Sequence, residues 1–77
     1  MATDVVTEVL NEHIEKLRKA VESCNPLEIA EKFRDFYEAH QTYLNEYPER
    51  QKELWKIYRE AYGVLLDAVK CECKRRE

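Results

Sequence analysis

The chain has 77 residues, with one Gly, two Pro, three Cys and a formal charge of −3. That leaves room for one domain, 1–77, and excludes a doubly wound sheet, a TIM barrel or a two-domain enzyme. A single Gly also excludes glycine-rich phosphate loops, and no Asn-Gly or Asp-Gly pair is present to close a hairpin.

The two prolines divide the chain into three helical stretches, predicted over 4–23, 26–45 and 48–72. Thr3 or Asp4 caps the first. Its apolar residues, Val6, Val9, Leu10, His13, Ile14, Leu17, Ala20, Val21 and Cys24, gather on one face about 140° wide at 100° per residue. The opposite face carries Glu8, Glu12, Glu15, Lys19 and Glu22. Asn25-Pro26-Leu27-Glu28 opens the second helix: Asn25 as N-cap, Pro26 at the first helical position, and Glu28 placed to reach back and close a capping box. Ile29, Ala30, Phe33, Phe36, Tyr37, His40, Tyr43, Leu44 and Tyr47 form its apolar face, with Glu28, Glu31, Asp35 and Glu38 opposite. Tyr47-Pro48-Glu49 opens the third helix. Connections this short make neighbouring helices antiparallel, so the expected fold is an all-α, up-down-up three-helix bundle.

The third helix differs from the others. Leu54, Trp55, Ile57, Tyr58, Ala61, Tyr62, Val64, Leu65, Leu66, Ala68, Val69 and Cys71 cover about 220° of its circumference. Two neighbours in a bundle do not need that much apolar surface. Either the Tyr and Trp rings of this helix sit half-exposed at the bundle edge, or the chain is a small interaction and assembly module that self-associates through it. A homodimer is the expectation, with the residues at the margins of the arc, Trp55, Ile57, Tyr62, Val64 and Leu66, as its contacts. Gly63 falls on the narrow polar strip with Lys52, Lys56, Arg59, Asp67 and Lys70.

The cysteines become positional once the helices are drawn. Cys24 ends the first helix, and Cys71 and Cys73 end the third. In an up-down-up bundle these ends share a pole, so Cys24 and Cys71 are placed to meet, with Cys73 as the alternative partner. Reduced thiols, with Cys24 as a small core residue, are the competing expectation. Three thiolates without a nearby His fall short of the four ligands that zinc takes, so no metal or other cofactor is predicted.

Both histidines sit within apolar faces. Antiparallel pairing about residue 25 puts His13 and His40 at similar heights, as core-edge residues bonded to Tyr or backbone groups, or as a metal or pH-sensing pair. A di-iron bundle would carry Glu three residues before each His; Leu10 and Tyr37 stand there instead. Ser23 is the lone serine and has no His in reach, and the carboxylates lie on charged faces near bases, as in Glu12–Lys16, Glu15–Lys19, Glu28–Lys32, Glu31–Arg34 and Lys56–Glu60. No catalytic constellation results, and no enzyme is expected.

Residues 1–38 hold 5 basic and 9 acidic side chains, and residues 39–77 hold 8 and 7. The cations of the second half, Arg50, Lys52, Lys56, Arg59, Lys70 and the tail Lys74-Arg75-Arg76, interleave with Tyr58 and Tyr62. That combination supports an alternative expectation, a nucleic-acid-binding module, against which the negative net charge counts. The basic 70–77 segment is expected to fray. No run of about 18 apolar residues is present to span a membrane. The opening MATDVVTEVL lacks the basic and apolar regions of a signal peptide, so a cytoplasmic location is expected. Abundant Glu and Lys with few Asn and Gln resemble the composition of thermophile proteins.

Overall fold

A computed structural model describes residues 4–71. The described chain is helical, in the order α1 (Val5–Ser23), α2 (Pro26–Glu46), a short 3-10 turn (Pro48–Arg50) and α3 (Gln51–Leu66). All three α-helices contact one another. Asp4, at the start of α1, pairs with Arg50, at the start of α3. Cys24, just past α1, pairs with Cys71, beyond the end of α3. The first and third helices therefore run in the same direction, and α2 returns between them.

The α1–α2 corner is built by three consecutive residues, Cys24, Asn25 and Pro26. Cys24 adopts the left-handed conformation, with φ 57 and ψ 27, and its N–H donates to the Val21 carbonyl. This is the place in a helix stop where glycine is preferred, because a Cβ there crowds the following carbonyl. Asn25 Oδ1 then accepts from the Leu27 and Glu28 backbone N–H groups at 3.0 and 3.3 Å, and Pro26 begins the helix. Glu28 does not close the predicted capping box. Its carboxylate lies 3.4 Å from the Ser23 hydroxyl, which donates to the Ala20 carbonyl at 2.7 Å.

The third element departs from the predicted 48–72 helix at both ends. Pro48, Glu49 and Arg50 form a 3-10 turn, and the α-helix starts at Gln51. Proline fixes the entry dihedral but has no N–H, and a tight first turn satisfies the Tyr47 carbonyl through Arg50 N–H at 3.0 Å. At the other end α3 stops at Leu66, residues 67–68 form a turn, and residues 69–71 are again helical. Through this stretch the N–H groups of Asp67, Ala68, Lys70 and Cys71 bond three residues back rather than four. Residue 72 and the Cys73, Lys74, Arg75 and Arg76 positions lie outside the described residues.

The core is one cluster. α1 supplies Val6, Leu10, Ile14, Leu17, Ala20 and Val21, α2 supplies Ile29 and Phe36, and α3 supplies Leu54, Ile57, Ala61 and Val64. Six buried positions on α1 against two apolar ones on α2 follow from shape: α1 presents slim aliphatic side chains at each turn, whereas α2 spends its inner face on rings that reach the surface at their edges. Phe33, Tyr43, Leu44 and Tyr47 are accordingly only partly buried. None of the described helices is long and apolar enough to cross a membrane.

Candidate interaction surface

The wide apolar arc of α3 divides cleanly in the structure. Leu54, Ile57, Ala61 and Val64 point inward. Trp55, Tyr62 and Leu66 stay 42%, 48% and 52% exposed. Of the five predicted contact residues, Ile57 and Val64 are therefore corrected: each is 8% exposed and belongs to the core. The reason lies in which direction α1 approaches. At about 100° per residue, Ile57 and Val64 lie on one margin of the arc and Trp55, Tyr62 and Leu66 on the other. α1 covers the first margin, and the second remains as a stripe.

The stripe is anchored through Tyr58, a half-buried ring that bridges interior and surface. Its ring centroid lies 5.3 Å from Trp55, 6.4 Å from Tyr62, 6.2 Å from both Phe33 and Phe36, and 6.4 Å from Tyr37. Beneath it His40 is fully buried, stacked on Phe36 at 5.6 Å and edge-on to Trp55 at 5.2 Å. His40 Nε2 lies 2.7 Å from the Leu54 carbonyl oxygen, so its N–H donates there and joins α2 to α3. Nδ1 has no hydrogen-bond partner among the described residues. His13 is half-buried on α1, and no hydrogen bond or ring contact among the described residues joins it to His40. The two do not form a pair. Among the described residues, no group of three His, Cys, Asp or Glu side chains could hold a metal ion.

Helical periodicity assigns Tyr37 to the interior face of α2. The structure leaves it 44% exposed, on the α2 bank facing Tyr58 and the α3 stripe. Toward the disulfide pole the seam between α2 and the end of α3 opens into an apolar groove of about 440 Å³, lined by Cys24, Pro26, Ile29, Ala30, Leu65 and Ala68. Val69 borders it and is exposed. Stripe and groove form a continuous apolar track along one side of the bundle. The track was hard to find from sequence because its banks come from two helices, and only the packing aligns them.

The cations divide as well. Arg50, expected among the free basic residues of α3, differs from them: its guanidinium is held by both the Asp4 and Glu53 carboxylates. The same cluster accounts for the titration of its members. The Arg50 guanidinium, with a smaller contribution from the Thr7 hydroxyl at 2.9 Å, holds Asp4 down to about 2. Glu53 is lowered for the same reason, and the two carboxylates raise Arg50 further. Asp4 occupies the N-cap position of α1 without bonding a backbone N–H through its side chain.

Lys52, Lys56 and Arg59 are exposed and take part in no ion pair among the described residues. The predicted Lys56–Glu60 pair does not form, nor do Glu12–Lys16, Glu15–Lys19, Glu28–Lys32 and Glu31–Arg34. Among the described residues the ion pairs are Arg18–Glu15, Arg34–Glu38, Lys70–Asp67 and the Arg50 cluster. By the same helical projection, Arg59, Lys52 and Lys56 fall at about 40–100° from Trp55, alongside the stripe on its solvent side. Glu53 and Glu60 lie beyond them.

Comparison with protein-family profiles, with curated proteins and with solved structures gives no match.

Proposed function

We propose that this chain is a non-enzymatic helical interaction module that assembles, with a second copy or with another protein, through the exposed apolar track of α3. One observation carries the reading: Trp55, Tyr62 and Leu66 stand about half-exposed on a helix whose opposite side is locked into the core. Isolated exposed apolar residues are ordinary, but three in helical register, continuous with an apolar groove, form a patch of the kind that marks a binding surface. A helix face of this type is suited to a facing helix, whose own apolar residues recur at the same spacing.

The chain has a single Trp, so Trp55 emission reads the track directly. Sedimentation velocity over a wide concentration range, with Trp55 emission in parallel, tests the proposal. Self-association appears as a rising sedimentation coefficient with a blue-shifted Trp55, and Leu66→Ser abolishes both while leaving helical circular dichroism intact. A chain that stays monomeric, and whose Trp55 responds to no helical peptide, removes the reading.

A second reading, single-stranded nucleic acid, is favoured by one observation: Lys52, Lys56 and Arg59, unpaired among the described residues, lie along a stripe that contains Trp55 and Tyr62. Stacking rings with flanking cations suit such a strand. Binding of an oligonucleotide that weakens steeply with salt would support it.

A further inference from the structure

We infer that the occupant of the α3 track is an acidic amphipathic helix of another protein, docked lengthwise with its apolar face on Trp55, Tyr62 and Leu66 and its carboxylates against Lys52, Lys56 and Arg59. This rests on the proposed interaction function and names the chemistry of its partner.

The shape of the track selects a helix. Trp55, Tyr62 and Leu66 are spaced i, i+7, i+11, covering three turns or about 16 Å at 1.5 Å per residue. That matches the repeat with which a second helix presents its own apolar residues. The described chain is helical throughout its secondary structure and offers no strand edge to which an extended peptide could add. The aliphatic end of the track, with Leu66, Val69 and the groove at Ile29, Ala30, Leu65 and Ala68, accepts Leu or Ile side chains. A nucleic acid has nothing comparable to place there, and only the Trp55–Tyr62 half of the track is a stacking platform.

Charge selects the sign of the partner. Lys52, Lys56 and Arg59 line one flank with no carboxylate among the described residues committed to them. The remaining neighbours do not change this balance: Arg50 is held closely by Asp4 and Glu53, Lys70 lies 4.0 Å from Asp67, and Arg34, on the α2 side, lies 3.7 Å from Glu38. Glu28, Glu31 and Asp35 occupy the far side of α2. A second copy does not supply the missing anions. In an antiparallel two-fold pairing each flank meets its own copy, placing Lys52, Lys56 and Arg59 against one another. In a parallel pairing the cations meet the α2 bank, Tyr37, Gln41 and the already paired Arg34. Like charges at an interface disfavour a partner, and unpaired cations at a rim favour an anionic one.

The test uses the full chain and three synthetic amphipathic peptides of about 18 residues. All lack Trp and share one Leu/Phe face; their polar faces are Glu-rich, Gln-rich or Lys-rich. Trp55 emission and sedimentation report binding, and a single-stranded oligothymidylate of similar length is run beside them. The expected result is that the Glu-rich peptide binds about tenfold or more tighter than the Gln-rich one, as three exposed ion pairs imply, and loses that margin at high salt. The triple variant Lys52→Glu, Lys56→Glu, Arg59→Glu, whose exposed positions leave the fold unchanged by circular dichroism, then reverses the order and prefers the Lys-rich peptide.

Equal binding of the three peptides, unmoved by the triple variant, overturns the acidic partner while the docking surface stands. So does an oligothymidylate that binds at Trp55 more tightly than the Glu-rich peptide. A self-associated chain that no peptide dissociates makes the second copy the occupant. A monomer whose Trp55 responds to none of these probes overturns the docking surface itself.

Discussion

Reducing the Cys24–Cys71 bridge tests the bundle at its closed pole. The bridge joins residues separated by 47 positions, with their Cα atoms 5.5 Å apart. In the chain-entropy account, closing a loop of that length removes about 13–14 cal/mol/K from the unfolded ensemble, or about 4 kcal/mol near room temperature. A chain this short has total stability of the same order. The structure offers little to compensate. Opening the bridge leaves the Cys71 thiol 3.3 Å from the Val21 carbonyl, to which it can donate only weakly, and leaves Cys24 in a left-handed conformation that disfavours a Cβ. Urea titrations of oxidised and reduced protein, followed by circular dichroism, should therefore differ by about 4 kcal/mol, with a melting temperature lower by roughly 20 °C in the reduced form. Alkylation before unfolding supplies the redox state: one reactive thiol, Cys73, in the oxidised chain, and three after reduction. Cys73→Ser should leave the stability difference intact, and Cys71→Ser should remove it. Three alkylatable thiols in native protein purified without reductant, or a stability unchanged by reduction, would refute the clamp. Full retention of the effect in Cys71→Ser would reassign the bridge to Cys73.

Phe36 is fully buried and contacts Phe33, His40 and Tyr58, so Phe36→Ala should cost about 3–5 kcal/mol in the oxidised protein and leave the reduced protein unfolded, as read by the same urea titrations. Gly63 lies within α3, exposed, with no atom near enough to obstruct a Cβ, so Gly63→Ala should stabilise by about 0.5–1 kcal/mol; destabilisation would mean that the glycine is needed for close approach by a partner. Asp4 titrates at about 2 in the folded chain against 3.8 ordinarily, so its contribution is complete above the ordinary value and disappears as pH falls through about 2. Arg50→Ala should lower the melting temperature at neutral pH, and the gap to the parent should narrow between pH 5 and pH 2. A gap independent of pH would exclude the Asp4–Arg50–Glu53 cluster as its source.

How far the sequence reaches is clearest at the helix boundaries. Asn25-Pro26 specifies a helix start through groups within three residues of each other, and the structure places it there. Local chemistry was insufficient at Glu28, whose carboxylate lies beside the Ser23 hydroxyl of the preceding helix instead of closing back on the Asn25 N–H. The surface ion pairs show the same limit. Several partners lie within i,i+3 or i,i+4 reach of each base, their energies are nearly equal, and spacing alone does not choose among them. Arg50 finds Asp4 from 46 positions away, a contact that no local spacing encodes.

By itself the sequence determined three amphipathic helices, their order, and the pole at which Cys24 and Cys71 meet. These follow from helical periodicity, two prolines and short connections, all of which act between residues near in the chain. It also established that α3 has more apolar surface than two neighbours require. Which part of that surface is spare was decided only by tertiary packing. Trp55 and Ile57 are both apolar, two residues apart, and periodicity assigns both to the arc. The line of approach of α1 buries Ile57, Tyr58 fills the α2 side against Phe33 and Phe36, and Trp55, Tyr62 and Leu66 are left facing outward beside three cations unpaired among the described residues.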